Sequence, residues 1–127
     1  MAHRRAVRRG DRLVTLLQNR WEAATLHWAC QLAGIVITPI NWRAKAEEID
    51  YAVENAQARA IAYEPVSAGS LRDSAASQRI PRIAVGTPPG PGETAFADLA
   101  ATEGPPVTPR ADAEAISLML YTSGTTA

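Results

Sequence analysis

The residues best suited to chemistry lie together at 116–126. Ile116-Ser117-Leu118-Met119-Leu120-Tyr121 is an almost unbroken apolar run closed by an aromatic residue, which reads as a strand buried on both faces, as in parallel sheets. Thr122-Ser123-Gly124-Thr125-Thr126 then brings four hydroxyl side chains and one glycine, with nothing bulky among them. Such a stretch folds tightly and turns backbone N–H groups and hydroxyls toward an anion, with phosphate as the expected guest. An ordinary solvated loop has the same composition. The strand before it favours the anion reading, because open α/β sheets place ligands beyond the carboxyl ends of their strands. It is not a Walker loop, which needs a lysine and a different glycine spacing.

Other reactive groups carry less. Cys30 is the single cysteine, so it has no intramolecular disulfide partner and belongs to no cysteine metal cluster, and it suits a reducing, cytoplasmic compartment. Set in an apolar stretch, it reads as a small core residue rather than a nucleophile. His27, beside Trp28, reads as a partly buried structural group. Arg4, Arg5, Arg8, Arg9 and Arg12 form a basic cluster. An export signal needs an apolar segment after its arginines, and Gly10-Asp11-Arg12 follows instead. With 13 basic and 13 acidic groups the chain is formally neutral, which argues against nucleic-acid binding and leaves the cluster as a solvated segment. No window approaches the length of a membrane span.

The elements that must position the 116–126 segment follow from periodicity. Leu13 to Leu17 suits a short buried strand, and Asn19 is placed to cap a helix on which Trp21, Ala24, Thr25, Trp28 and Leu32 share one core-facing stripe. Gly34 stands where that helix would end in a positive-φ residue. Ile35 to Thr38 is a second strand, closed by Pro39. A helix from Ala46 onward carries Glu47 and Glu48 near its amino end and turns Ile49, Val53 and Ala56 inward. Arg59 to Tyr63 is a third strand, Ser67 to Gln78 a weak helix, and Arg82 to Val85 a fourth strand. Gly86 to Glu93 and Gly104 to Pro109 are Pro/Gly loops around a short Phe96 to Ala101 segment. Strands alternating with helices imply right-handed crossovers and a parallel sheet.

With these elements in order, Tyr121-Thr122-Ser123-Gly124-Thr125-Thr126 resembles the phosphate-loop signature of the AMP-forming adenylate-forming enzymes, the superfamily of acyl-CoA synthetases, luciferases and peptide-synthetase adenylation domains. That signature usually continues with Gly, a variable residue, Pro, Lys and Gly; here Ala127 follows, and the lysine is absent. Gly10-Asp11-Arg12-Leu13-Val14 is similar to the family's Gly-Asp-Arg-Val strand entry. Ala33-Gly34-Ile35-Val36-Ile37-Thr38-Pro39-Ile40-Asn41-Trp42-Arg43 is similar to its Ala-Gly-x-x-x-x-Pro-Leu-Asn-x-Arg stretch. Asn41-Trp42-Arg43 resembles ligases for aromatic, alicyclic or fatty acids.

The resemblance implies an α/β fold: a partial doubly wound, mostly parallel sheet with flanking helices, residues 1–127 being an incomplete AMP-binding N-terminal domain with the C-terminal domain absent. It implies a fragment of an ATP-dependent acid-thiol ligase that joins a carboxylate to AMP and passes the acyl group to a thiol. ATP, Mg2+ and coenzyme A are the implied cofactors. Thr122, Ser123, Gly124, Thr125 and Thr126 would cradle the β and γ phosphates, and no catalytic residue or metal ligand is assigned to the chain. By itself it is expected to be inactive. A non-catalytic remnant, or the first half of a split enzyme completed by a C-terminal fragment, is the alternative. A small dinucleotide-binding domain is a further one, although G-x-G-x-x-G does not follow the first strand.

Overall fold

The computed structural model describes residues 9–101 and 116–120. Among the described residues five strands are joined by helices, except for a loop between the last two: β1 (Arg12–Leu16), α1 (Trp21–Ala33), β2 (Val36–Pro39), α2 (Ala46–Ala56), β3 (Ala60–Tyr63), α3 (Ala68–Asp73), β4 (Arg82–Ala84), β5 (Glu93–Ala95) and α4 (Phe96–Ala101). All pairings are parallel, in the order β2-β1-β3-β4-β5. This is the expected α/β doubly wound arrangement. Its strand order places a topological switch point between β1 and β3.

Period-two alternation feeds two cores. Val14, Leu16, Ile61 and Tyr63 pack with Ile49 and Val53 of α2 and Leu71 of α3 on one face. Leu13, Ile37, Ala60 and Ala62 pack with Leu26 and Cys30 of α1 and Phe96 of α4 on the other. α1 ends as expected at Gly34, whose φ of 74° is left-handed and whose N–H reaches back to the carbonyls of Cys30 and Gln31. A Cβ at this φ is strained, so Gly34→Ala is expected to cost about 1 kcal/mol, read as a lowered denaturation midpoint in urea.

Several expectations need correction. The cap residue of α1 is Arg20, not Asn19. The proposed core stripe of α1 faces outward, with Trp21, Trp28 and Leu32 all exposed, while Glu22, Leu26 and Cys30 are buried. α1 is apolar nearly all round, so periodicity admits either stripe. The slimmer Leu26 and Cys30 fit against the close-packed sheet where two indoles do not.

The weak Ser67–Gln78 helix is three pieces: a 3₁₀ turn at Pro65–Ser67, α3, and a second 3₁₀ turn at Ser77–Arg79. Ser74 breaks it, because its hydroxyl donates to Asp50 Oδ1 of α2 at 2.5 Å instead of leaving the backbone to continue. β5 falls at the end of a loop and was not anticipated, since three residues are too few to show a period.

The 116–120 segment joins the sheet at its outer edge, beside β2. It makes one parallel bridge, Ile37 to Leu118. The Ile37 N–H donates to Ser117 O at 3.2 Å and the Met119 N–H to Ile37 O at 3.0 Å. Burial on both faces is not what results: Ile116 and Leu120 are 61% and 64% exposed. A strand paired on one side, with no helix layer of the described residues over it, keeps its alternate side chains in solvent.

Candidate functional site

Because every strand is parallel, all the carboxyl ends open onto one crest. The segments leaving β1 (Leu17 to Arg20), β2 (Ile40 to Arg43), β3 (Glu64 to Ser67) and β4 (Val85 to Thr87) lie along it. The sequence-assigned phosphate residues Thr122, Ser123, Gly124, Thr125 and Thr126 lie outside the described residues, as does Tyr121.

The switch point between β1 and β3 is already filled. Glu64, 4% exposed at the end of β3, accepts the Gln18 N–H through Oε1 and a 3.1 Å bond from Arg20 Nη1 through Oε2. Arg20 Nε and Nη2 donate to the two carboxylate oxygens of Glu22 at 2.8 and 3.2 Å. That fork explains how Glu22 is buried under α1, and it holds the Glu22 carboxyl below its ordinary value. The same contacts, first of all that with Glu22, raise the Arg20 guanidinium further above its own. Gly86, at φ +73°, lets the guanidinium lie against the β4 loop, since a Cβ there would stand 3.0 Å from Arg20 Nη2. The buried Ser67 hydroxyl donates to Leu16 O at 3.2 Å and fastens β1 to the turn after β3.

In this cluster two carboxylates face one guanidinium, so the charge of Arg20 is already matched within the protein. In the turn that follows β2, Asn41 Oδ1 accepts the Arg43 N–H at 2.8 Å, and the Arg43 guanidinium lies 4.7 Å from the Trp42 ring centroid. Sequence reading singled out Asn41, Trp42 and Arg43 but missed Arg20, Glu22, Glu64 and Gly86. The available signal was a lone glutamate within the apolar α1 and another wedged between a strand and Pro65.

A second polar cluster borders a cleft of about 480 Å³ between α3 and the β4–β5 loop. The Tyr63 hydroxyl donates to Glu93 Oε1 at 2.5 Å, the Gly90 N–H to the same oxygen at 2.9 Å, and Arg82 Nε stands 3.5 Å from Glu93 Oε2. Burial opposes charge on Glu93, yet the Gly90 N–H, the Tyr63 hydroxyl and Arg82 outweigh it and keep the carboxyl below its ordinary value. Burial, then the Glu93 contact, pushes the Tyr63 hydroxyl up to about 12. Arg82 also binds the carbonyls of Ser77, Ile80 and Pro91. The cluster is a clamp on the 86–92 loop, with neither a free base nor a free nucleophile.

Cys30 is buried, as expected of a core residue, and burial pushes its thiol up to about 11, which keeps it protonated and inert at neutral pH. Among the described residues no group of three or more His, Cys, Asp and Glu is placed to hold a metal ion. No helix of the described residues is long and apolar enough to cross a membrane.

A family model described as AMP-binding enzyme matches residues 2–127. The chain is 31% identical over 120 residues to a feruloyl-CoA synthase of Amycolatopsis sp, covering 94% of this chain and 22% of that protein. Among solved structures, an acyl-CoA synthetase of Brucella canis superposes with a TM-score of 0.82 at 18% identity, covering 94% of this chain and 22% of that one. The N-terminal domain of FACL13 from Mycobacterium tuberculosis superposes with a TM-score of 0.71 at 20% identity, covering 93% and 30%. The chain thus spans about a fifth of the length of the curated relatives it matches.

Proposed function

Because the chain belongs to the AMP-binding enzyme family, we propose that it is the opening part of the nucleotide-binding domain of an ATP-dependent acid-thiol ligase of the acyl-CoA synthetase type. In this reaction a carboxylate attacks the α-phosphate of ATP, pyrophosphate leaves, and a thiol then takes the acyl group from the acyl-adenylate. The observation that carries the reading is the parallel bridge between Ile37 and Leu118. It aligns the 116–120 segment with the parallel sheet, and Thr122, Ser123, Gly124, Thr125 and Thr126 follow that segment in sequence. Their task in this reading is to bind the β and γ phosphates of ATP.

Mg2+ and coenzyme A are the further cofactors the family implies, and the residues that would hold them are assigned to the part of the domain outside these 127 residues. The substrate is a carboxylic acid, with an aromatic acid such as ferulate the first to test, on the strength of the Amycolatopsis relative. We place the protein in the cytoplasm, a reducing setting that suits the buried free thiol of Cys30.

A polypeptide of these 127 residues alone is proposed to be inactive, either as one part of a ligase completed by further polypeptide or as a non-catalytic remnant. The test is acid-dependent exchange of labelled pyrophosphate into ATP. The 127 residues alone are expected to give background rates, and the same residues joined to the rest of a ligase domain to give exchange. Exchange by the 127 residues alone would overturn the inactivity; its absence from the joined protein would overturn the ligase reading.

A further inference from the structure

The outer faces of the two helix layers are chemically opposite. On α2 the exposed positions include Glu47, Glu48 and Glu54, a solvated face. On α1 the exposed positions are Trp21, Ala24, Thr25, Trp28, Ala29 and Leu32, with no charge among them. Trp21, Trp28 and Leu32 are 67%, 66% and 53% exposed. Two indoles and a leucine at i, i+7 and i+11 make a continuous apolar stripe, which soluble surfaces rarely leave uncovered. The patch extends to α4, where Phe96 meets the Trp21 ring edge-on at 5.8 Å and Leu99 is exposed.

We infer that the α1 face formed by Trp21, Trp28 and Leu32 is a docking surface for the part of the ligase domain that these 127 residues do not contain. This rests on the ligase reading above. Length argues for that occupant: even a solved N-terminal domain of this fold is so much larger that the chain covers 30% of it. The exposed 116–120 edge argues the same way, because a parallel sheet is normally covered on both faces and continued at its edge. An uncharged aromatic stripe suits the apolar centre of a permanent interface and not its polar rim.

The experiment is co-expression of the 127-residue chain, affinity-tagged, with the Amycolatopsis feruloyl-CoA synthase from which the 120 matched residues have been deleted. Capture is measured without ATP, beside sedimentation of the tagged chain alone. The unsubstituted chain is expected to retain the deleted synthase. Trp28→Glu and Leu32→Glu are expected to weaken retention at least tenfold, while Tyr51→Glu, on the exposed face of α2, leaves it unchanged. The α1 substitutions touch none of its buried residues, Glu22, Leu26 and Cys30, and a cooperative melt of each variant confirms folding. No capture by the unsubstituted chain, capture indifferent to Trp28→Glu, or a dimer of the tagged chain that Trp28→Glu dissociates would each overturn the proposal. Capture by a complex that lacks pyrophosphate exchange would sink the ligase reading and leave the docking surface standing.

Discussion

Replacing Glu64 with alanine is expected to destabilise the fold by about 3 kcal/mol, since hydrogen bonds to a charged acceptor and the loss of one partner from a buried pair are among the costlier single changes. The carboxylate is nearly inaccessible and serves two elements at once, accepting from the Gln18 N–H after β1 and from Arg20 at the start of α1. Without it the Gln18 N–H and one arm of the guanidinium lose their partner at the centre of the crest. Glu64→Gln keeps the shape and one acceptor oxygen, so it is expected to recover part of the loss. Chemical denaturation of the three proteins checks this, and an alanine variant as stable as the parent would show that water replaces the carboxylate.

The same cluster sets an acid limit. Arg20 holds the Glu22 carboxyl below its ordinary value of 4.5, so the folded state binds that proton less readily than the unfolded chain. The resulting stability is fully present above 4.5 and is lost as pH falls through the lower folded value. Glu93, also held low, adds in the same direction. Melting temperature is therefore expected to fall with acidification, and to fall less steeply in Glu22→Gln.

Ile61→Ala is expected to cost about 2 to 5 kcal/mol, the range for truncating a buried aliphatic side chain to alanine. Ile61 is fully buried in β3, the middle strand of the five, within the core that α2 and α3 cover. Its neighbours Val14, Leu16, Ile49 and Val53 are held by the sheet and by α2, so the site collapses poorly around a cavity. Set against a total stability of roughly 5 to 15 kcal/mol for a domain, this substitution removes a large share. A denaturation midpoint within error of the parent would mean that the two helix layers re-pack freely.

Residues with one available environment were legible without coordinates. Ile35 to Thr38, a β-branched run closed by Pro39, and the apolar stretch Ala60 to Tyr63, cut off by Pro65, each carry a built-in stop, and strands formed at both. α2 was read correctly, including its inward Ile49, Val53 and Ala56, because charges on its other face leave a single orientation. α1 was read with its faces exchanged, because both of its faces are apolar and only the space above Leu13, Ile37, Ala60 and Ala62 selects Leu26 and Cys30. The cluster of Arg20, Glu22, Glu64 and Gly86 was illegible for another reason: 44 positions separate Arg20 from Glu64, and no local pattern signals that two strand ends will be neighbours.

The amino-acid sequence by itself determined the alternation of strands and helices, the stops between them and the hydroxyl-rich run at 122–126, because each depends on neighbours a few residues apart. Tertiary structure alone decided the strand order, the pairing of Arg20 with Glu22 and Glu64 that fills the β1–β3 crevice, the outward turn of Trp21 and Trp28, and the edge position of 116–120. These depend on which distant segments meet, and packing space and charge between such segments are properties of the assembled sheet and not of any stretch of chain.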